Sequence, residues 1–482
     1  MALEFTEENI HKLFGSEAAE DESPDRLKAY FFKAPLYEQV ISDIPIRIVV
    51  GHKGIGKSAL FKIAMIDDTA ASRLAILIKP DDISDLKLDT DDFLSLIRDW
   101  KNGLNEIIAN KILIEFTKDT SDIKSWLAAY SGRLIDMIKD FVAEKTGVEL
   151  DSVKKAIIDK FLKDGKIYIY IDDLDRGWQG TSIDIKRISA LLNCVRDLSN
   201  ECKNLCFRIG LRSDVYYLVR TSDESTDKIE GSVIWLKWIN HEIFCMLVKR
   251  IEAFFGRSIN ENELIKKNQN ELSKYLRKIF TDRFQGSGHW ANAPTYRVMM
   301  SLIRKRPRDL VKLCTLAARH AREVGNSIIT TNDFESIFEE YSQGRLQDTI
   351  NEYNSELPNI EKLLLGMRPS KKEKEKNTVN KYTTDLLLKK IDDLHPETFI
   401  FANNKKGNSK SIAAFLYKIN FITARKNTDE GIIRKYFEEN RYLSSNFVDF
   451  GFSWEVHPAY RWALQPDDIM RIFDEIELSE ND

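Results

Sequence analysis

The 482-residue sequence contains no apolar run close to the roughly 20 residues that a helix needs to cross a bilayer. Its first residues, MALEFTEENIHKLFG, are acidic and lack the basic-then-apolar order of a signal peptide. The chain also lacks a dominant charge, because 72 Lys and Arg residues face 76 Asp and Glu residues. These absences argue against membrane insertion and against a general attraction to nucleic acid. We therefore expect a cytoplasmic protein.

Cysteine is scarce, and the spacing of the cysteines disfavours both C-x-x-C motifs and metal binding. The five cysteines form no C-x-x-C pair and have no histidine at metal-ligand spacing. No pattern in the chain indicates a zinc site or a Ser/His/Asp hydrolase either. The sequence therefore predicts reduced cysteines that pack in the core, at positions Cys194, Cys202, Cys206, Cys245 and Cys314.

A hydrophobic fraction of 43% and a charged fraction of 31% are those of an ordinary globular protein, and the length predicts more than one core. Short β-branched runs alternate with segments of helical spacing over about residues 45–240. Alternation of this kind predicts an α/β fold with a mainly parallel sheet. The predicted strands are residues 46–50, 74–78, 167–171, 205–211 and 233–236.

The sequence predicts four regions. An acidic N-terminal extension covers residues 1–44, and the α/β core covers residues 45–240 with a helical insertion at 81–165. After Trp238 the pattern becomes all-helical, with apolar residues at i, i+3 and i+4, which predicts a helical domain over 241–350. The remaining residues, 351–482, combine helix and strand signals and are interpreted as a small α+β domain.

The segment GHKGIGKS at residues 51–58 fits G-x-x-x-x-G-K-[ST] and lies between a predicted buried strand and a predicted helix. Its glycines permit a tight turn whose backbone N–H groups converge on a phosphate. Lys57 is expected to contact the β- and γ-phosphates, and Ser58 to bind Mg²⁺. The pattern arises by chance in about two of every hundred chains of this length, but its strand-helix context favours function. The predicted nucleotide-binding residues are Gly51, His52, Lys53, Gly54, Ile55, Gly56, Lys57, Ser58 and Ala59.

A second element, KIYIYIDDLDRGW at residues 166–178, is a hydrophobic strand that ends in acidic residues. A carboxylate at the end of a neighbouring strand can reach a metal ion held by Ser58, so Asp172 is the expected Mg²⁺ ligand. Asp173 is the candidate general base for the attacking water. Taken alone, these acids fit a turn or a helix cap equally well. The phosphate-binding motif favours the catalytic interpretation.

Two more segments place basic residues at the ends of predicted elements. LCFRIGLRSD at 205–214 ends a strand at Arg212, where a side chain can sense the γ-phosphate. KRPRDL at 305–310 is expected to end one helix and open another at Pro307, which places Arg308 where it could approach the nucleotide. Either arginine could instead form an ordinary surface ion pair.

Together, these motifs resemble P-loop ATPases with an additional sheet strand, specifically the KAP and STAND branches related to AAA+ and origin-recognition ATPases. The resemblance rests on GHKGIGKS, DDLDR, LRSD and RPRDL, and it covers about residues 45–345. It implies ATP as the nucleotide, Walker B acids at Asp172 and Asp173, and sensor 1 near Arg212. It also implies a helical lid in which Pro307 faces adenine beside sensor 2 at Arg308. Many such ATPases carry Glu where this chain has Asp173, so the shorter side chain implies slow turnover.

The outer segments AEDESPDRLKAYFF, RYLSSNF and WEVHPAYRWAL are similar to those of bacterial P-loop ATPases found beside phage-defence or mobile-element genes. This resemblance implies a nucleotide-controlled switch that assembles or regulates a protein effector in anti-phage defence. It further implies a homo-oligomer in which an arginine of one subunit reaches the γ-phosphate of the next. The candidates for that arginine are Arg176, Arg208 and Arg220.

The C-terminal region leaves two interpretations open. KKEKEK at 371–376 predicts a solvated linker or a helix start, and a helix at 411–419 is followed by short strands at 421–424 and 452–456. This order fits a winged-helix module that contacts DNA phosphates, or equally a protein-interaction domain. The DNA interpretation predicts that bound ATP acts as a structural clamp with little or no hydrolysis. Nine basic residues face four acids between 401 and 441: Lys405, Lys406, Lys410, Lys418, Arg425, Lys426, Arg434, Lys435 and Arg441.

The aromatic residues and the histidine near the C-terminus are interpreted as structural. Trp454, Tyr460 and Trp462 are expected to fill a small core rather than to stack on bases. His457 has no partner at ligand spacing, which favours a structural histidine over a metal ligand. His52, inside the phosphate-binding motif, could touch a phosphate or occupy a variable position.

Overall fold

The computed structural model describes the greater part of the chain. The predicted helices between 118 and 165, most of the helical insertion, lie outside the described residues. The described residues are 3–16, 21–71, 73–86, 88, 90–117, 166–222, 224–375, 379–429, 431–444, 447, 450–466 and 469–479.

The chain divides into two compact units. Residues 35–52 and 57–236 form one of them, here named the sheet unit. Residues 1–34, 53–56 and 237–482 form the other, named the helical unit. Residues 1–34 of the N-terminal extension therefore group with the C-terminal half of the chain, and so does the four-residue tip of the phosphate-binding motif, whereas residues 35–44 belong to the sheet unit. The four-region division from the sequence stays a prediction.

A parallel sheet organises the sheet unit. Within the described residues its order is β2-β3-β4-β1-β5, and every neighbouring pair is parallel. The strands are short and apolar because both faces are covered; all five residues of IYIYI, for example, are buried. The five predicted strands and the parallel α/β arrangement are confirmed. The strands are β1 (Ile46–Gly51), β2 (Leu74–Ile78), β3 (Ile167–Ile171), β4 (Leu205–Arg212) and β5 (Val233–Trp235).

Helices account for most of the remaining regular structure. Among the described residues, no helix is both long enough and apolar enough to cross a bilayer. In chain order they are α1 (Glu7–Phe14), α2 (Pro24–Tyr30), α3 (Leu36–Ile41), α4 (Lys57–Ala70), α5 (Pro80–Ile83), α6 (Phe93–Thr117), α7 (Ser182–Glu201), α8 (Ser213–Ser222), α9 (Asn240–Phe254), α10 (Glu261–Leu264), α11 (Gln269–Leu276), α12 (Thr295–Leu302), α13 (Pro307–Glu323), α14 (Thr331–Tyr353), α15 (Ile360–Gly366), α16 (Lys371–Glu375), α17 (Thr384–Asp392), α18 (Ser409–Lys418), α19 (Arg461–Leu464) and α20 (Ile469–Glu475).

The helical unit departs from the sequence prediction in one detail. A short hairpin, β6 (Arg283–Gln285) with β7 (Ala291–Pro294), interrupts the helices between 241 and 350. The region is otherwise helical, as predicted, but the sequence analysis did not predict this hairpin. Only Phe284 of β6 is buried, between two exposed residues, and three residues are too short to register as strand alternation in a helical background.

The C-terminal part of the helical unit forms a second, antiparallel sheet. Its order is β10-β9-β11-β8, and α17 and α18 pack beside it. The predicted helix and strands near 411–419, 421–424 and 452–456 are confirmed to within a few residues, and residues 371–375 of KKEKEK form a helix. The strands are β8 (Lys381–Tyr382), β9 (Ile422–Thr428), β10 (Gly431–Lys435) and β11 (Ser453–Val456).

Candidate nucleotide-binding site

The phosphate-binding motif joins the end of β1 to the start of α4. Gly54 and Gly56 have φ angles of 78° and 103°, in the left-handed region that side chains disfavour, so these two positions need glycine. Within the sheet unit, Lys57 Nζ donates to Gly51 O at 2.8 Å and to His52 O at 3.3 Å. The ammonium group thus lies over the first turn of the loop. Ser58 and Ala59 follow in the first turn of α4.

In the helical unit, the tip of the motif is held by donors to three consecutive carbonyl groups. Arg306 Nη1 donates to Lys53 O at 3.2 Å, Arg308 N to Gly54 O at 3.4 Å, and Trp238 Nε1 to Ile55 O at 2.9 Å. A trans peptide holds its C=O and the following N–H on opposite edges. The N–H groups that follow these carbonyls, those of residues 54, 55 and 56, therefore face away from the donors. This is the arrangement that an anion-binding loop requires.

Asp172 lies immediately after β3 and is buried, with 6% of its surface exposed. Burial raises the pKa of its carboxyl group, against a hydrogen bond from the Ser58 hydroxyl and the positive charge of Lys57, which both lower the pKa. A hydroxyl and a carboxylate in direct contact form a hard oxygen donor set of the kind that Mg²⁺ prefers. Ser58 and Asp172 therefore fit a Mg²⁺ site.

The sheet order corrects the prediction that Asp172 ends a strand next to β1, because β4 lies between β1 and β3. Asp172 reaches Ser58 across β4, where Gly210 provides room. A Cβ atom at Gly210 would lie 2.8 Å from Asp172 Oδ1 and 3.2 Å from the Phe61 ring. Sequence reasoning missed this residue. Its signal is a glycine inside a buried strand, which marks a close approach.

Asp173 adopts an unusual backbone conformation, with φ at 60°. Aspartate is one of the few residues that tolerate this region, and strain of this kind concentrates at functional sites. The side chain is 40% exposed and lies 3.4 Å from Arg176 Nε. Asp173 is thus accessible to solvent while Asp172, its neighbour, is buried.

Arg212, at the end of β4, is held in a network of acids. Its Nε and Nη2 donate to the two carboxylate oxygens of Asp214 at 3.0 and 2.6 Å, and Nη1 donates to Asp175 at 3.2 Å. The register of the sheet places Arg212 beside Gly51. The guanidinium group is therefore fixed at the edge of the sheet where β1 ends. Sequence reasoning did not assign Asp214 or Asp175 as its partners.

Pro307 begins α13, which confirms the predicted helix break at this position. The next residue, Arg308, packs against the tip of the motif within the helical unit. A Cβ atom at Gly54 would lie 3.1 Å from Arg308 Cβ, so the two residues are in close contact. The sequence placed Arg308 near nucleotide, and the structure places it against the loop that the sequence assigned to phosphate.

The three arginines proposed to act across a subunit interface differ in exposure. Arg208 is completely buried, and it donates to Ile44 O at 2.9 Å and to Ser42 O at 2.6 Å. A buried guanidinium cannot reach another subunit, so this candidate is wrong; all residues of β4 before Arg212 are buried. Arg220 is 31% exposed and pairs with Asp227 and Glu230. Arg176 is the most accessible, with 61% of its side chain exposed.

His52 is buried, and its Nδ1 lies 3.0 Å from the Ser213 hydroxyl at the start of α8. This contact ties the loop to the end of β4, within the sheet unit. Of the five cysteines, all are free thiols and four are buried. Among the described residues, no group of His, Cys, Asp and Glu is arranged to hold a metal ion through those side chains alone.

The basic C-terminal segment is less exposed than its composition suggests. Arg425 and Arg434 are buried and contact Glu455, and Lys418 Nζ pairs with Glu356 at 2.6 Å. Three of the nine basic residues are thus engaged in internal ion pairs. Exposed lysines remain at positions 405, 406, 410 and 426.

The C-terminal aromatic residues lie in the core, as expected. Trp454, Tyr460 and Trp462 are at most 1% exposed. His457 is also buried, with Nε2 2.9 Å from the Tyr436 hydroxyl and Nδ1 accepting from Ala459 N. Burial keeps the pKa of His457 well below its ordinary value. These contacts make it a structural residue.

Part of the chain matches a family model, and most of the chain aligns with a curated protein. Residues 242–350 match the family described as the FunZ-associated C-terminal helical domain. Over 97% of its length, the chain is 24% identical to the "Putative transposon gamma-delta 80.3 kDa protein" of Escherichia coli K12, of which it covers 70%.

Among solved structures, the ORC2 protein of Aeropyrum pernix, in ADPNP and ADP complexes, aligns with 94% of this chain and 92% of its own at 10% identity, with a TM-score of 0.40. The Holliday junction branch migration motor RuvB of Thermotoga maritima aligns with 87% of this chain and 92% of its own at 10% identity, with a TM-score of 0.30. Similarities of this size do not bear on the function of this chain.

Proposed function

We propose that this chain is a Mg²⁺-dependent ATPase. The observation that carries the proposal is the joint placement of Lys57, Ser58 and Asp172 at one edge of the parallel sheet. The Lys57 ammonium group already contacts loop carbonyls, so an incoming triphosphate could replace them as its partner. A bound Mg²⁺ would neutralise the negative charge of the phosphates. Ser58 and Asp172 would hold it, and the loop N–H groups would bind the β-phosphate.

Asp173 is the proposed general base. Its carboxylate is half exposed, so water can reach it, and its backbone is held in a strained conformation directly after the Mg²⁺ ligand. The nearby Arg176 contacts this carboxylate and would compete with water for it. Because aspartate is shorter than glutamate, the account predicts slow turnover.

At a finer level, we assign the protein to the KAP and STAND type of P-loop ATPase, with ATP turnover controlling the assembly or activity of a protein effector. Support comes from the motifs at residues 51–58, 172–176 and 305–310, together with the hydrogen bond from Arg308 N to Gly54 O inside the helical unit. The proposed setting is bacterial anti-phage defence or a mobile element. The name of the curated relative, a putative transposon protein, agrees with the latter.

Phosphate release from Mg·ATP tests the enzymatic proposal. Lys57→Ala should lower the rate about 100-fold or more, since it removes a charge from the phosphates. Asp173→Asn should lower the rate by about 100-fold while nucleotide binding persists, because asparagine also tolerates the positive φ. The exposed Lys203→Ala is the control and should keep the wild-type rate. A wild-type rate no higher than that of Lys57→Ala would contradict the proposal.

A second candidate is a DNA-binding protein that uses bound ATP as a structural clamp. The exposed lysines at 405, 406 and 410, at the N-terminal end of α18, favour it. Anisotropy of a labelled duplex at two salt concentrations tests this candidate. Replacing the three lysines with glutamine should weaken binding and flatten its salt dependence. Unchanged binding, together with measurable ATP turnover, would eliminate the clamp.

A further inference from the structure

Lys53 is the position at which the phosphate-binding loop reverses the direction of its peptide groups. The carbonyl of His52 faces Lys57 Nζ, so the N–H of Lys53, in the same peptide, faces the other way. The carbonyl of Lys53 is turned to that second side as well, toward Arg306. The N–H and the C=O of Lys53 therefore point to the same side of the loop, away from Lys57 Nζ. The N–H of Gly54, which follows the Lys53 carbonyl, points back to the side of Lys57 Nζ.

The buried ion pair between Glu352 and Arg306 forms hydrogen bonds with both backbone groups of Lys53. The Glu352 carboxylate accepts the Lys53 N–H through Oε1 at 2.9 Å, and its Oε2 lies 2.7 Å from Arg306 Nη1. The same Nη1 donates to Lys53 O at 3.2 Å. Glu352, Arg306 and Lys53 thus form a closed ring of hydrogen bonds, which belongs entirely to the helical unit.

Burying this ion pair costs free energy, because both charges are removed from water. Glu352 and Arg306 are each 2% exposed, and Nε and Nη2 of Arg306 have no hydrogen-bond partner among the described residues. Burial alone would lower the pKa of Arg306, yet the attraction of Glu352 and nearby groups raises it overall, so the arginine stays charged. A buried pair with unsatisfied N–H groups contributes little to stability, and apolar residues could fill the space as well. The hydrogen bonds to Lys53 indicate that the pair holds the loop instead of stabilising the fold.

We infer that Glu352 and Arg306 are positioning residues for the phosphate-binding loop. Their ring fixes the reversal at Lys53 and thereby aims the N–H groups of residues 54–56 at the phosphates. Neither side chain contacts the nucleotide in this account. The inference deepens the proposed function and rests on it for the ligand, but the ring at Lys53 can be tested without nucleotide.

Amide hydrogen exchange of the nucleotide-free protein tests the ring itself. In Glu352→Ala the Lys53 amide should exchange about 10-fold faster or more, the size expected when a buried bond to a charged group is lost. Amides inside α14 should keep their protection, which separates this effect from general unfolding. Glu340→Ala, an exposed acid on the same helix, is the control. Wild-type protection of Lys53 in a folded Glu352→Ala protein would overturn the inference.

The affinity for Mg·ADP tests the positioning role. Glu352→Ala should bind about 10-fold more weakly or worse, since the loop must be reorganised on binding. Glu352→Gln keeps an acceptor for the Lys53 N–H and should rescue most of the affinity, while Glu340→Ala should match the wild type. If Glu352→Ala fails to fold, Arg306→Gln replaces it with the same expectation. Folded variants with wild-type affinity would overturn the inference. A wild type that binds no nucleotide would instead refute the proposed function and leave the exchange result valid.

Discussion

At the scale of single residues, the position of Asp172 depends on the absence of a side chain at Gly210. The carboxylate crosses β4 at this glycine and meets Ser58, which follows the loop after β1. Any side chain at Gly210 would contact both Asp172 and Phe61. The geometry of the proposed Mg²⁺ site is therefore set by a residue that would bind no ligand.

Gly210→Ala should consequently weaken the binding of Mg·ATP about 10-fold or more while the protein stays folded. The new methyl group would displace the carboxylate, and overpacking in a core costs about 1–3 kcal/mol. Denaturant unfolding and nucleotide titration would measure the two effects. Gly344→Ala is the matched control, because a Cβ atom there meets nothing within 4 Å. It should leave binding unchanged and stabilise α14 by about 0.5–1 kcal/mol. Equal nucleotide affinity in both variants would refute the role of Gly210.

The loop and the acidic pair could be predicted from the sequence, because each is a contiguous pattern with a local physical cause. Asp172 follows an apolar strand, and GHKGIGKS follows another. The contacts that position them could not be predicted in the same way. Glu352 lies 299 residues from Lys53 along the chain, and Asp175 lies 37 residues from its partner Arg212. Such pairings depend on tertiary structure and leave no spacing signal.

At the scale of secondary structure elements, the C-terminal sheet is held together by charges inside its core. Glu455 on β11 contacts three buried arginines, Arg425 on β9, Arg434 on β10 and Arg461 at the start of α19. Burial alone would raise the pKa of Glu455, but the arginines lower it to about 2. This acid thus links the strands to a helix, and its charge is required for the link.

Glu455→Gln should lower the free energy of unfolding by about 3–5 kcal/mol at neutral pH, because three guanidinium groups lose their buried counter-ion. The pKa of Glu455 is depressed in the folded state, so its contribution is present above its ordinary value of 4.5 and is lost as the pH falls toward about 2. The stability of Glu455→Gln should therefore depend less on pH between about 5 and 3. Denaturant titrations across this range, with the exposed Glu397→Gln as control, would check it. An equal pH dependence in both variants would contradict the account.

Strand order is the main property of the elements that the sequence could not supply. The apolar runs predicted five parallel strands, yet five such runs are compatible with several orders in a sheet. The insertion of β4 between β1 and β3 became evident only from the pairing of Ile48 with Ile209 and of Ile171 with the same residue. The hairpin at Arg283–Pro294 was missed because its strands are three and four residues long.

At the scale of the whole molecule, the resemblance to oligomeric ATPases predicts that an active site is completed by a second copy. Arg176 is the best candidate for the contributed residue, because Arg208 is buried and the Arg176 side chain is 61% exposed against 31% for Arg220. Light scattering with a non-hydrolysable ATP analogue should therefore show a mass above that of the monomer. A monomer at every concentration would exclude this arrangement.

A mixing experiment tests Arg176 directly. Arg176→Ala and Lys57→Ala should each release little phosphate alone. Mixed chains should recover part of the wild-type rate, since a Lys57→Ala subunit can lend its arginine to a subunit with an intact loop. Arg220→Ala, which keeps Arg176, should be active without a partner. Absence of recovery at every mixing ratio would show that Arg176 does not act between subunits.

The central claim is that the loop at residues 51–58 and Asp172 together hold a magnesium triphosphate. Calorimetric titration with a non-hydrolysable Mg·ATP analogue tests it most directly. The account predicts one site per chain, with binding at least about 10-fold weaker in Lys57→Ala, in Asp172→Asn and when Mg²⁺ is left out. Equal binding in the wild type and the two variants, or no binding at all, would contradict it.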